Sequence, residues 1–175
     1  MKNLKDIIVE RLHINKDIDS YNYHPKTKVE LKELVKKLIK ERGDDADLND
    51  IDTSEITDMS LMFENSKFNG DISNWNVGNV KNMYSMFANS KFNNDISNWN
   101  VSNIIIMRGM FFNSEFNGDI SNWDVSNVYD MYGMFNKSKF KGDISKWDVS
   151  NVRDMNNMFK DSVLEKNPPK WYKKK

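Results

Sequence analysis

The chain has 175 residues, of which 38% are hydrophobic and 30% charged, and its 26 basic residues balance 26 acidic ones. These values are typical of a single globular domain with one core. Residues 47–166 carry 11 basic against 17 acidic residues. Because duplex binding depends on net positive charge, nucleic acid is not an expected partner.

The chain contains no cysteine, which excludes disulfides, thiolate metal sites and a cysteine nucleophile. Charged residues interrupt the segment from Met1 to Leu12, and the sequence has no apolar run as long as a signal-peptide core or a membrane span. We therefore expect a cytoplasmic protein that does not contact a membrane. A cell-surface location is the alternative if a signal has been removed.

Two helices are predicted ahead of the middle of the chain. Residues 3–12 predict a short helix, and residues 27–42 predict an amphipathic helix that is capped at Thr27 and stopped by Gly43. The segment 13–26 is predicted to be a loop. The longer helix is expected to cover the open end of the repeats that follow.

Tryptophan recurs every 24 residues, at Trp75, Trp99, Trp123 and Trp147. Other hydrophobic positions keep the same step, and we use "column" for residues that are 24 apart. In one unit these positions are Phe68, Ile72, Val77, Val80, Met83, Met86 and Phe87. A degenerate unit with Ile51 in the tryptophan column comes first, as expected of an end repeat. The pattern predicts about five repeat units.

The spacings within a unit predict its local structure. The I-x-x-W-x-V element, from Ile72 to Val77, favours a short strand. The positions from Val80 to Phe87 lie on one face of two helical turns. Two further columns are assigned to backbone ends. Helix caps are predicted at Asn79, Asn103, Asn127 and Asn151. A left-handed backbone before the strand is predicted at Gly70, Asn94, Gly118 and Gly142.

The pattern F-N-G-D-I-S-N-W-D-V-S-N-V-x-D-M-x-x-M-F covers roughly residues 47–162 and resembles the BspA-like leucine-rich repeat family. The resemblance implies a right-handed solenoid with a narrow parallel sheet on one face and short helices on the other. Members are mostly surface adhesins and binding proteins, and some unsecreted copies occur in mobile elements. The predicted fold class is therefore α/β, a right-handed leucine-rich-repeat-like solenoid of about five 24-residue turns with an N-terminal helical cap.

The predicted domain organisation has three parts. Residues 1–46 form the N-terminal helical cap, residues 47–166 the repeats, and residues 167–175 a C-terminal cap with a basic tail. In the last part, Trp171 and Tyr172 are expected to lie over the last layer of the core.

No catalytic residues are predicted. The two histidines, His13 and His24, lie outside the repeats, and the sequence has none of the common nucleotide, hydrolase or metalloprotease motifs. No cofactor and no metal site are expected. A calcium site remains an alternative for the aspartate column, but an aspartate after glycine usually accepts nearby backbone N–H groups. This column holds Asp47, Asp71, Asp95, Asp119 and Asp143.

In columns that the fold does not constrain, the residue type differs from one unit to the next. On the side of the predicted short helices, these variable columns hold aromatic and apolar residues. We define the aromatic patch as Tyr84, Ile105, Ile106, Arg108, Phe112, Tyr129 and Tyr132. Tyrosine and arginine are enriched at interface hot spots, so this patch is the first candidate for partner binding. Ordinary surface scatter is the alternative.

A second candidate face follows the predicted strands. We define the amide face as Asn74, Asn76, Asn98, Asn100, Asn122, Asp124, Lys146 and Asp148. Repeat proteins often bind partners on such a surface. The favoured interpretation is structural, because stacked units can use such columns for mutual hydrogen bonds.

Together these observations predict a non-enzymatic module that binds another protein. One form of this hypothesis is an inhibitor of a host protein, encoded by a phage or mobile element. The alternative is an adhesin-type fragment that binds an extracellular protein or glycan. Association of identical copies through the aromatic patch is a further possibility.

Overall fold

The computed structural model describes residues 21–173. The predicted helix over residues 3–12 and the histidine at His13 lie outside the described residues. In chain order the structure has one α-helix, α1 (Lys28–Arg42), then the 24-residue units, then one 3₁₀ turn (Val163–Glu165). Isolated parallel bridges join Tyr23 to Ile51, Asp47 to Asp71, Asp58 to Asn82, Asn82 to Ile106, Ile106 to Asp130 and Asp130 to Asp154.

The helix predicted over residues 27–42 is confirmed. The Thr27 side chain accepts a hydrogen bond from the Glu30 N–H. At the other end, the Gly43 N–H donates to the Ile39 carbonyl, and Gly43 itself has a φ of 96°. The buried residues of α1 are Leu31, Val35 and Leu38, and they belong to the same hydrophobic cluster as the repeats. The helix therefore shares one core with the units that follow, while the three domain boundaries stay a prediction.

The predicted α/β leucine-rich-repeat-like solenoid is wrong. Over residues 21–173 the structure has one α-helix, and it has isolated bridges in place of strands and a sheet. The three-residue spacings of the motif mark turns. The Trp75 N–H donates to the Ile72 carbonyl at 3.1 Å, and the Val80 N–H donates to the Val77 carbonyl at 2.9 Å. A chain that turns every few residues cannot continue as an extended strand.

The short helix predicted over each M-x-x-M-F element is replaced by turns as well. The Met86 N–H donates to the Met83 carbonyl, but Ser85 has φ at 50° and Asn89 has φ at 55°. Left-handed residues interrupt a right-handed helix. They recur in two columns, at Leu61, Ser85, Gly109, Gly133 and Asn157 and at Asn65, Asn89, Asn113, Lys137 and Asp161.

Consecutive units lie in register because their backbones are hydrogen-bonded to each other. Between two central units, four N–H groups of alternate residues donate to carbonyls 23 residues further on, at 2.8–2.9 Å. The pairs are Met107 to Asp130, Gly109 to Tyr132, Phe111 to Met134 and Asn113 to Asn136. Each unit thus satisfies its neighbour's buried donors. We call the units from Asp47 to Ser162 the repeat stack.

Two columns of phenylalanine rings run through the core of the repeat stack. Rings of the first column lie 5.5–5.9 Å apart and nearly parallel. Rings of the second column lie 6.2–6.3 Å apart. The columns are Phe63, Phe87, Phe111, Phe135 and Phe159, and Phe68, Phe92, Phe116 and Phe140. The predicted core columns of the central units are therefore buried in one continuous cluster.

The tryptophan column ties each unit to the one before. Each indole Nε1 donates to a backbone carbonyl 27 residues earlier, at 2.9–3.2 Å. The donors are Trp75, Trp99, Trp123, Trp147 and Trp171. Trp171 thus continues the tryptophan column, in addition to its ring contact with Phe159.

The predicted left-handed column is wrong. Its residues, Gly70, Asn94, Gly118 and Gly142, do not have positive φ. The glycines instead provide space. A Cβ at Gly70 would lie 2.0 Å from the Ala46 carbonyl oxygen, and a Cβ at Gly118 would lie 2.9 Å from the Phe116 ring. Glycine is therefore needed at Gly70, where the clash is with backbone, while the same column accepts Asn94 in the next unit.

Candidate interaction surface

The row formed by Tyr84, Arg108 and Tyr132 occupies one column of three consecutive units. The Arg108 Cζ lies 4.0 Å from the centroid of the Tyr132 ring, which is a cation–π contact. The Arg108 guanidinium also lies 3.6 Å from an Asp130 oxygen and 3.9 Å from an Asp154 oxygen. The arginine is therefore held in place by a ring and two carboxylates before any partner binds.

A groove of about 380 Å³ opens beside this row and is lined by Tyr84, Arg108, Phe112 and Tyr132. The Asn136 side chain also lines it, and the Asn136 Oδ1 is buried without a hydrogen-bond partner in residues 21–173. A buried acceptor without a donor lowers the stability of the fold.

Ile105 and Tyr129 line a second and wider groove, of about 670 Å³, together with Lys81 and Arg153. The Arg153 Cζ lies 5.1 Å from the Tyr129 ring centroid. Ile105 and Tyr129 are 42% and 47% exposed, so the groove presents both apolar and aromatic surface to solvent.

The structure thus divides the aromatic patch into two grooves. Ile106 lines neither of them; it is half-buried, and its backbone is bridged to Asn82 and Asp130 in the neighbouring units. The other six patch residues line these grooves, but the patch as predicted lacks further lining residues, among them Lys81, Asn136 and Arg153.

The amide face consists of exposed residues, in two columns with different roles. The oxygens of Asn76, Asn100, Asp124 and Asp148 accept a backbone N–H two residues further on. The other column holds Asn74, Asn98, Asn122 and Lys146. The side-chain oxygens of another column do connect neighbouring units: the Oδ1 of Asn69, Asn93 and Asn117 accepts a backbone N–H of the next unit.

The predicted helix caps at Asn79, Asn103, Asn127 and Asn151 are wrong, because these units contain no helix to cap. Their Nδ2 groups donate to a carbonyl 25 residues earlier, at 2.7–2.8 Å. The asparagines therefore connect neighbouring units by side-chain hydrogen bonds.

The aspartate column is engaged with its own backbone. The Oδ1 of each of its members, Asp47, Asp71, Asp95, Asp119 and Asp143, accepts a backbone N–H two residues further on. For Asp71, Asp119 and Asp143 the backbone N–H of the following serine lowers the pKa of the carboxyl group. Within residues 21–173 the structure has no cluster of three or more histidine, aspartate or glutamate side chains that could hold a metal ion.

His24 is the histidine that the structure describes. Its Nδ1 lies 3.5 Å from an Asp52 oxygen, and its ring meets the Tyr21 ring edge-on at 6.5 Å. These contacts link the segment before α1 to the first unit. No helix in the described part of the chain combines the length and apolar character needed to cross a membrane.

The sequence matches the family described as "Mycoplasma protein of unknown function, DUF285", over residues 29–137 and again over residues 92–175. Searches of curated proteins and of solved structures found no match. The two overlapping matches together cover α1 except for its first residue, and the whole repeat stack. The chain therefore belongs to the DUF285 family, a BspA-like repeat-type domain family.

Proposed function

We propose that this chain is a non-enzymatic recognition module that binds another protein through the groove lined by Tyr84, Arg108, Phe112 and Tyr132. The observation that carries the proposal is the position of Arg108, stacked at 4.0 Å on the Tyr132 ring and held by two carboxylates. A preorganised arginine between two tyrosines has the composition of an interface hot spot. Little side-chain entropy would be lost when a partner binds there.

The charge of Arg108 limits what a partner can offer it. Because this charge is already shared with Asp130 and Asp154, we expect the partner to contribute an aromatic or apolar side chain to the groove.

We also propose that the 24-residue W-x-V-S-N-V and M-x-x-M-F pattern is the repeat of the BspA-like family. Both family matches span several of these units, which supports the assignment. The hypotheses of a cytoplasmic inhibitor and of an extracellular adhesin differ in the partner that they predict. In this proposal both would use the same recognition surface.

The test is an affinity capture from the source cells with the immobilised chain, compared across matched variants. A specific protein retained by the natural chain should be lost with Arg108→Ala and with Tyr132→Ala, and retained with Lys67→Ala, an exposed residue outside both grooves. Retention by all four proteins would exclude this groove as the binding site. A glycan array with the same variants tests the adhesin alternative.

A further inference from the structure

The last unit of the repeat stack ends in a partly open core. Val128 and Met131 are fully buried in the preceding unit, whereas their equivalents Val152 and Met155 are only partly buried. A cavity of about 430 Å³ lies against these two residues. Phe159, Trp171 and Tyr172 complete its apolar lining.

Backbone donors face the same end. In the preceding unit the N–H groups of Met131, Gly133 and Phe135 donate to carbonyls 23 residues further on. The equivalent donors of the last unit are Met155, Asn157 and Phe159. Within residues 21–173 these three N–H groups have no hydrogen-bond acceptor. Such a row of unpaired donors can pair with the carbonyls of an added segment.

The charged side chains around this cavity are mainly basic. Arg153, Lys160 and Lys173 line it, against Glu165, which accepts a hydrogen bond from the Asp161 N–H. Unpaired N–H donors and basic side chains both attract oxygen acceptors, and carboxylates in particular.

A second copy of the chain does not fit this end. The opposite end of the repeat stack is covered by α1, where the Lys32 Nζ donates to the Leu61 carbonyl at 2.8 Å. A symmetric contact between two C-terminal ends would place donors against donors and Arg153 and Lys160 against basic residues, which is repulsive.

We propose that this end of the repeat stack binds an extended acidic segment of a partner protein, which adds to the last unit as a further unit would. The segment's carbonyls accept from Met155 and Asn157, its apolar side chains enter the cavity, and its carboxylates lie near Arg153 and Lys160. This site is separate from the groove at Arg108.

The test uses the 175-residue chain labelled with ¹⁵N and a short synthetic peptide of alternating glutamate and valine as the probe. The peptide should shift the amide signals of Met155 and Asn157 and slow their hydrogen exchange. A peptide with lysine in place of glutamate should leave these signals unchanged. Equal binding of the two peptides, or shifts confined to other residues, would overturn the proposal.

Variants locate the site. The double variant Arg153→Glu with Lys160→Glu should weaken peptide binding about tenfold or more, since two attractive charges become repulsive. The milder pair Arg153→Gln with Lys160→Gln should weaken it less, and the amide spectrum reports that each variant is folded. Lys67→Glu should leave peptide binding unchanged, because Lys67 is exposed and lines none of the three cavities.

Two further results would contradict the proposal. One is end-to-end dimerisation of the natural chain in sedimentation equilibrium at the peptide-binding concentration. The other is binding to vesicles that contain phosphatidylserine, lost in the Arg153→Glu and Lys160→Glu variant, without binding of the acidic peptide.

Discussion

The indole Nε1 of Trp171 donates to the Ile144 carbonyl at 2.9 Å, and Trp123 makes the equivalent bond to the Ile96 carbonyl at 3.2 Å. The two bonds differ in their surroundings, because Trp123 is 4% exposed and Trp171 is only partly buried. The tryptophan column therefore connects every unit to the one before, including the segment that follows the two prolines.

The first prediction concerns the indole hydrogen bonds of the tryptophan column. Trp123→Phe should lower the free energy of unfolding by about 1–3 kcal/mol, because it removes a buried hydrogen bond to the Ile96 carbonyl, which keeps only the Trp99 N–H as a donor. Trp171→Phe should cost less, since water can reach the end of the repeat stack. Urea unfolding of the two variants measures the difference, and an equal cost for both would contradict the burial argument.

The second prediction separates a connection between units from a helix cap. The Asn127 Nδ2 donates to the Ser102 carbonyl at 2.8 Å. Asn127→Ala should cost about 0.5–1.5 kcal/mol, and Asn127→Asp should cost more, because a carboxylate cannot donate and faces a carbonyl oxygen. At a helix cap aspartate would be tolerated.

The control for Asn127→Asp is Asn122→Asp, at an exposed asparagine of the amide face. We expect that variant to unfold at nearly the same urea concentration as the natural chain. If Asn127→Asp does so as well, the connection between units contributes little to stability.

The third prediction concerns Gly70. A Cβ there would lie 2.0 Å from the Ala46 carbonyl oxygen, so Gly70→Ala and Gly70→Asn should both destabilise the protein by at least about 1–3 kcal/mol. A left-handed position would instead accept asparagine. The matched variant Gly78→Ala should be mild, because its nearest neighbour is the movable Asn76 side chain, at 3.2 Å. Thermal unfolding of the three variants gives the comparison.

The fourth prediction concerns pH. Hydrogen bonds from Ser126 and Ser150 lower the pKa values of Asp124 and Asp148, respectively, in the folded protein. A carboxyl group with a lowered pKa stabilises the fold above its unfolded pKa of about 3.9, and the contribution is lost as the pH falls through the folded value. Stability should therefore decrease below about pH 4.

Asparagine at these two positions should remove part of that decrease. Asn76 and Asn100 make the same turn in other units, so Asp124→Asn with Asp148→Asn keeps the hydrogen bonds without the titration. The reciprocal variant Asn100→Asp should steepen the loss of stability in acid. Urea unfolding between pH 2 and pH 7 tests both predictions. If the free energy of unfolding depends on pH in both variants as it does in the natural chain, the explanation is refuted.

The sequence predicted which side chains form the core better than it predicted the backbone. The hydrophobic columns, α1 and its caps could be read from spacing and residue type, because burial and capping depend on single residues at regular intervals. The strand, the short helix and the asparagine caps of each unit were wrong. A three-residue spacing fits a turn as well as a helix, and the left-handed residues include serine, leucine and lysine, which give no such signal.

For the candidate site, the sequence indicated the variable columns with Tyr84, Arg108 and Tyr132. It could not show that Arg108 lies over the Tyr132 ring, or that the Asn136 oxygen has no partner among the described residues. The sequence also could not show that the backbone N–H groups of Met155 and Asn157 are unpaired, because this depends on which acceptors lie nearby in the folded chain.

The amino-acid sequence alone determined the 24-residue period, the residues that are buried and the capped helix at one end. The tertiary structure decided how each unit folds, because its N–H groups and its asparagine and tryptophan side chains find their acceptors 23–27 residues away, in the neighbouring unit. Hydrogen bonds of that range depend on how the units contact each other, which local propensity does not encode.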